Sequence, residues 1–163
     1  MRFSIKAVLC LTAAFALVIA YGVWERDKAL VRAKAIAFVD EAHGTYGIDF
    51  NRPEWFRKLL INFGADHKGF YEPLRVSFGP TNQGYDSRNP FNDSSLQNGA
   101  QHLASFTKLE LFEVFACVGV TDEGIQFFPN PPSLKHIRVT GTSISDKGLE
   151  LLRKKYPNVE IEH

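Results

Sequence analysis

The spacing of apolar positions changes several times along the chain. Residues 7–24 read AVLCLTAAFALVIAYGVW, a run without charge. As a helix at ~1.5 Å per residue it is roughly 27 Å long, close to the thickness of a bilayer's hydrocarbon core. Residues 25–43 follow without Gly or Pro, and Val31, Ala35, Phe38, Val39 and Ala42 fall on one helical stripe, with Gly44 as the expected C-terminal cap. Residues 46–50 read as a short strand. Asn51-Arg52-Pro53-Glu54 has the form of a helix start, since Pro suits the first turn. The helix it opens, residues 54–63, would turn Trp55, Phe56, Leu59, Leu60 and Phe63 inward. Leu74-Arg75-Val76-Ser77-Phe78 alternates as a strand does. Residues 79–93, GPTNQGYDSRNPFND, read as a loop with Tyr85 and Phe91 as its apolar members. A loop of this length is either a solvated insertion or a contact loop beside a binding face.

Beyond it, one pattern recurs. NGAQHL, EGIQFF and KGLELL place Gly99, Gly124 and Gly148 at spacings of 124 − 99 = 25 and 148 − 124 = 24. Between these helix-like pieces lie sets of the form L-x-x-L-x-L: Leu109, Phe112, Val114; Leu134, Ile137, Val139; and Tyr156, Val159, Ile161. The last two members of each set are two apart, which is strand period. A strand and a short helix every 24 or 25 residues is a repeat whose single unit cannot bury its own apolar face.

LELFEVFACVGVTDEGI (residues 109–125) resembles the cysteine-containing class of leucine-rich repeats, L-x-x-L-x-L-x-x-C-x-x-I-T-D-x-G-L. LKHIRVTGTSISDKGL (residues 134–149) repeats it, with Thr142 eight places after its first Leu, as Cys117 is after Leu109. The first unit is degenerate, with Gln97 where Asp122 and Asp146 stand later. The resemblance covers residues 94–161. It extends to bacterial membrane-anchored repeat proteins, which share a basic leader, a helical spacer and a P-E-W-hydrophobic helix. It implies an α/β fold: a short solenoid with a curved parallel sheet and helices on its outer side, behind an N-terminal transmembrane helix. The expected organisation is an anchor over 1–24, a juxtamembrane spacer over 25–44, an N-terminal capping region over 45–93 with loop 79–93 inserted, and repeats over 94–163.

The leader admits two readings. Arg2 and Lys6 before the apolar run, and a small-residue site at Val18-x-Ala20, suit a cleaved signal peptide. The uncleaved anchor is preferred, because the run continues through Tyr21 and Val23 to Trp24 and meets Glu25-Arg26-Asp27-Lys28 at once, as at a membrane interface. Flanking Lys and Arg number two before the span and four after it, which alone would put the C-terminal side in the cytoplasm. A short basic tail at the extreme N-terminus argues the other way, and a non-cytoplasmic repeat domain is the expectation. Asn92-Asp93-Ser94 matches a glycosylation sequon, which bears on function only in a pathway that glycosylates.

Composition narrows the function. A net charge of +1 with 45% hydrophobic residues describes an ordinary surface and argues against nucleic-acid binding. The two cysteines, Cys10 and Cys117, are far apart and one lies in the leader, so a disulfide is not expected. The five His show no metal-ligand spacing, and there is no G-x-S-x-G, phosphate loop or dinucleotide fingerprint. No metal, cofactor or catalytic residue is expected. A hydrolase built on His67 or His136 is the least favoured reading, since no further ionisable groups converge on either. His102 falls where Phe127 and Leu151 stand in the other copies and reads as a partly buried substitute. Cys117 and Thr142 read as small polar side chains bonding turn backbone, and Asp122 and Asp146 as helix N-caps.

Specificity then falls to exposed strand positions. Third positions are Arg75, Leu111, His136 and Asn158; fifth positions are Ser77, Glu113, Arg138 and Glu160; Phe115 and Thr140 are seventh. Neighbouring strands about 4.8 Å apart would align Glu113, Arg138 and Glu160 as an alternating charge ladder. Leu111 and Phe115 add large apolar groups to that face. Leu111, Glu113, Phe115, His136, Arg138 and Thr140 are the expected contacts for a protein partner. The expected activity is non-catalytic protein binding from a membrane tether through residues 7–24. The alternative is a secreted protein of the same fold that binds an extracellular ligand.

Overall fold

The computed structural model describes residues 5–49, 53–62, 64, 66–80 and 91–163. One helix, α1 (Ile5–Glu41), runs unbroken from the apolar segment into the folded part of the chain. It is the one described helix long and apolar enough to cross a membrane. β1 (Thr45–Asp49), α2 (Glu54–Asn62) and a 3-10 helix, η1 (His67–Phe70), lead into β2 (Glu72–Phe78). The rest alternates helix and strand: α3 (Asp93–Ala104), β3 (Leu111–Phe115), a second 3-10 helix η2 (Asp122–Phe127), β4 (His136–Thr140), α4 (Asp146–Lys155) and β5 (Glu160–Glu162).

The architecture is α/β, with a five-stranded sheet in the order β1-β2-β3-β4-β5. The expected all-parallel sheet is corrected: β1 pairs antiparallel with β2, and β2 to β5 pair in parallel, so the sheet is mixed. The reversal comes from the return excursion through α2 and η1 between the first two strands. The expected strand 46–50 is shifted by one, and Phe50 lies outside the described residues.

One face of the sheet carries the core. Val76, Phe78, Phe112, Val114, Ile137 and Val139 are buried in alternation along β2, β3 and β4. α1, α3, η2 and α4 contact one another in that sequence beside the sheet. Phenylalanines fill the space between layers: Phe78 stacks on Phe91 with ring centroids 3.9 Å apart and meets Phe112 edge-on. Phe91, expected in the loop, is therefore a core residue, while Tyr85 lies outside the described residues. His102 stacks on Phe38 at 5.8 Å, in keeping with its reading as a substitute for an apolar residue.

α1 enters the core along Glu25, Ala29, Arg32, Ala33, Ile36 and Val39. Val31, expected on the stripe, is exposed. The other members of the expected stripe do face the core, Ala35 and Val39 buried and Phe38 and Ala42 packed against it; what the apolar reading left out is Glu25 and Arg32, which are charged. Their burial is compensated: Arg32 lies 2.7 Å from Glu72 and 3.9 Å from Glu25, and Lys108 lies 2.8 Å from Glu72. Burial alone would raise the Glu72 carboxyl, but Lys108 and Arg32 hold it below its usual value. Gly69 fits against α1 only because it lacks a side chain, since a Cβ there would meet the Ala29 carbonyl oxygen at 2.0 Å. The expected cap at Gly44 is also corrected: His43 takes the left-handed conformation (φ 54°), and Gly44 donates to the Val39 carbonyl while sitting against the Phe78 ring.

α2 departs furthest from expectation. Trp55 and Leu59, expected inward, are exposed on α2, which packs beside η1. The side chains of Phe56 and Leu60, and residue Phe63, lie outside what the structure describes.

Candidate functional site

The open face of the sheet is built by register. Arg75, Leu111, His136 and Glu160 align across four strands, as do Ser77, Glu113, Arg138 and Glu162, and Phe115 aligns with Thr140. The structure thus brings together all six expected contact residues. It corrects the last strand, where Glu160 stands beside His136 and Asn158 lies in the turn before β5. The charge ladder is therefore Glu113–Arg138–Glu162. The turn Tyr156–Val159, closed by a bond from Val159 N to the Tyr156 carbonyl, occupies the residues expected to begin the strand.

Glu113 is the centre of this face. Its Oε2 accepts from Ser77 Oγ and from Arg75 Nη2, and its Oε1 accepts from Arg138 Nη1 at 2.9 Å. Burial would raise its pKa, but the hydrogen bonds from Ser77, Arg138 and Arg75 prevail and bring it to about 2. Arg138 also donates to Glu162, and these two bonds move the Arg138 pKa further up. His136 Nδ1 lies 3.1 Å from Glu160 Oε2. A carboxylate so fully occupied is a poor proton donor or acceptor near neutral pH. It fixes two arginines on the face instead.

Around this cluster Phe115 is 47% exposed, Thr140 and His136 are exposed, and Leu111 is half-buried. An open cleft of about 550 Å³ runs between Thr45, Arg75, Ser77, Pro80, Glu113 and Phe115. Sequence reasoning placed Arg75 and Ser77 on the face without assigning them a part, and it missed Glu162 and the exposed Val118 beside Cys117. Glu162 was within reach of the 24-residue spacing, since Arg138 plus 24 is Glu162.

Behind the face, Cys117 is buried with its Sγ 3.4 Å from the Phe115 carbonyl and 3.7 Å from that of Phe78. Burial pushes its thiol up to about 11, which disfavours the thiolate a nucleophile requires. Thr142, its counterpart, bonds the Val139 carbonyl. The N-cap expectation is corrected. Thr121 and Ser145 cap η2 and α4, while Asp122 and Asp146 are the first helical residues. Asp122 instead ties one unit to the next, its carboxylate accepting from Ser145 N at 2.8 Å and from Ser145 Oγ. Asp93 holds Thr121 in the same way, at 2.9 Å and 2.6 Å. Asp93, and not Gln97, is therefore the counterpart of Asp122 in the first unit.

His67's side chain is not described, and no group of three or more His, Cys, Asp or Glu able to hold a metal occurs among the described residues. No protein-family model matches the chain, and neither the curated proteins nor the solved structures contain a match to it.

Proposed function

We propose that the chain is a membrane-anchored leucine-rich-repeat protein, a short solenoid whose open sheet face binds another protein without catalysis. The solenoid reading is supported by the parallel order β2 to β5 and by the two bridges Asp93–Thr121 and Asp122–Ser145, which tie each unit to the next. The anchor reading is supported by continuity: the helix that leaves the apolar run is the same one that packs Ala29, Ile36 and Val39 into the core. A repeat domain on the non-cytoplasmic side belongs to the same proposal, although the flanking Lys and Arg, two before the span and four after it, do not by themselves favour it.

The observation that carries protein binding is Phe115, a large exposed ring beside charges whose partners lie within the chain. Such a patch gains by covering apolar area, with the saturated ion cluster giving orientation and specificity. A photocrosslinking residue placed at 115 in the intact membrane form is expected to yield a discrete adduct with one partner. The same probe at Lys154 on α4 is expected to yield none. An adduct from position 154 alone would refute the face assignment and move the contact to the helical side.

A further inference from the structure

Three exposed apolar side chains on α2 have no place in the proposed face. Trp55 and Leu59 stand one helical turn apart on one side, 68% and 44% exposed, and Ile61, also exposed, projects from nearly the opposite side. Arg57 and Lys58 give the same nine residues a basic character, and Lys58 lies 2.8 Å from Glu54 on the helix surface. Trp and Leu beside basic residues on a helix is the chemistry of the boundary between headgroups and acyl chains.

The position of α2 agrees with that chemistry. β1 ends at Asp49, which pairs with Glu72, and Glu72 is held by Arg32 of α1. Arg32 is eight residues past Trp24, the end of the apolar run, so it stands about 12 Å along the helix from it. Only residues 50–53 separate Asp49 from Glu54, five steps and a reach of roughly 17 Å at most. Trp55 therefore lies within reach of the plane where Trp24 and Lys28, 3.3 Å from the Trp24 ring centroid, mark the end of the span.

We propose that α2 lies in the headgroup layer of the bilayer, with Trp55 and Leu59 turned toward the acyl chains, as a second membrane contact beside α1. The proposal rests on the anchor reading. Two contacts side by side would hold the domain at one tilt over the membrane, where a single helix leaves it free to rotate.

The chain has two tryptophans, so Trp24→Phe leaves Trp55 as its sole indole. The full-length variant is reconstituted in vesicles of phosphatidylcholine and phosphatidylglycerol, with or without bromine on the upper acyl carbons. Trp55 is expected to emit at shorter wavelength than in water and to lose emission to the brominated lipid. Adding Leu59→Glu is expected to relieve the quenching without altering the circular dichroism spectrum. Alkaline carbonate extraction of the same vesicles reads the anchor separately. A carbonate-resistant chain with Trp55 in water overturns the interfacial helix alone. Release by carbonate overturns the anchor and the helix together. A blue-shifted Trp55 that bromine does not quench would mean that protein, such as a second copy of the chain, covers α2, and would equally overturn the proposal.

Discussion

Glu113→Gln removes the one charge that the face is arranged around. The native carboxylate is 8% exposed and accepts from Ser77, Arg75 and Arg138. Glutamine of the same shape retains one acceptor oxygen, turns a donor toward donors, and leaves two guanidinium groups facing each other. A carboxyl brought from 4.5 to about 2 corresponds to at most about 3.5 kcal/mol of preference for the ionised form, at about 1.4 kcal/mol per pKa unit. Arg75 and Arg138 are 52% and 36% exposed, so solvent screens their share and about 2 kcal/mol is the expected loss at neutral pH. For a chain of this size that is a fall in melting temperature of about 4–8 °C. The sign of the pH dependence follows from the depressed pKa. The stabilisation is complete above the unfolded value near 4.5 and is lost as pH falls toward 2. The assay is thermal unfolding of full-length wild type and variant in mild detergent, from neutral pH to about pH 2. The gap between the two curves should be widest at neutral pH and close on acidification. Equal melting temperatures at neutral pH, or a gap that stays constant down to pH 2, would refute the account of Glu113 as a buried, hydrogen-bonded anion.

Cys117→Ser should destabilise by roughly 1–3 kcal/mol through a poorly matched buried hydroxyl, with crosslinking from position 115 retained wherever the fold persists. In the wild type, Cys117 should resist maleimide until the domain unfolds, as mass spectrometry of the labelled chain would show; rapid labelling of the native state would overturn its buried, protonated assignment. Gly148→Ala should lower the melting temperature by about 3–6 °C, because a Cβ there meets Asp122 Oδ1 at 2.1 Å. Combined with Asp122→Ala it should cost far less than the sum of the two single changes, and strict additivity would show that the two residues do not act as a pair.

Much of the repeat region was legible because period and burial coincide. Leu74 to Phe78 alternates, Phe112 and Val114 match Ile137 and Val139, and the structure pairs them as the spacing requires. The final unit was misread by giving weight to apolar identity over period. Tyr156, Val159 and Ile161 look like a complete set, but Phe112 to Ile137 is 25 residues, and 24 further is Ile161 and not Val159. Tyr156 is indeed buried, with its hydroxyl donating to the Phe128 carbonyl at 2.8 Å, so its apolar character reported burial correctly and strand position wrongly. The early part of the chain was less legible. Burial of Glu25 and Arg32 depends on Glu72 and Lys108, which are far away in sequence, and no local pattern distinguishes a charge that will be paired from one that will face water.

The glycines give the most instructive case, since their regular spacing has a reason that the sequence alone did not supply. Gly124 and Gly148 are each required by an aspartate of the preceding unit: a Cβ at 124 would meet Asp93 Oδ1 at 2.1 Å, as one at 148 would meet that of Asp122. The aspartate must approach this closely because it holds both the backbone N–H and the hydroxyl of the next unit's capping residue. Asp-x-Gly within one unit is thus two halves of different contacts, with the Asp reaching forward and the Gly receiving from behind. Gly99 breaks the scheme, because its missing side chain makes room for the Phe38 ring of α1 in place of an aspartate. That exchange marks the place where the recurring pattern meets α1, and the aspartate that corresponds to Asp122 there stands at position 93.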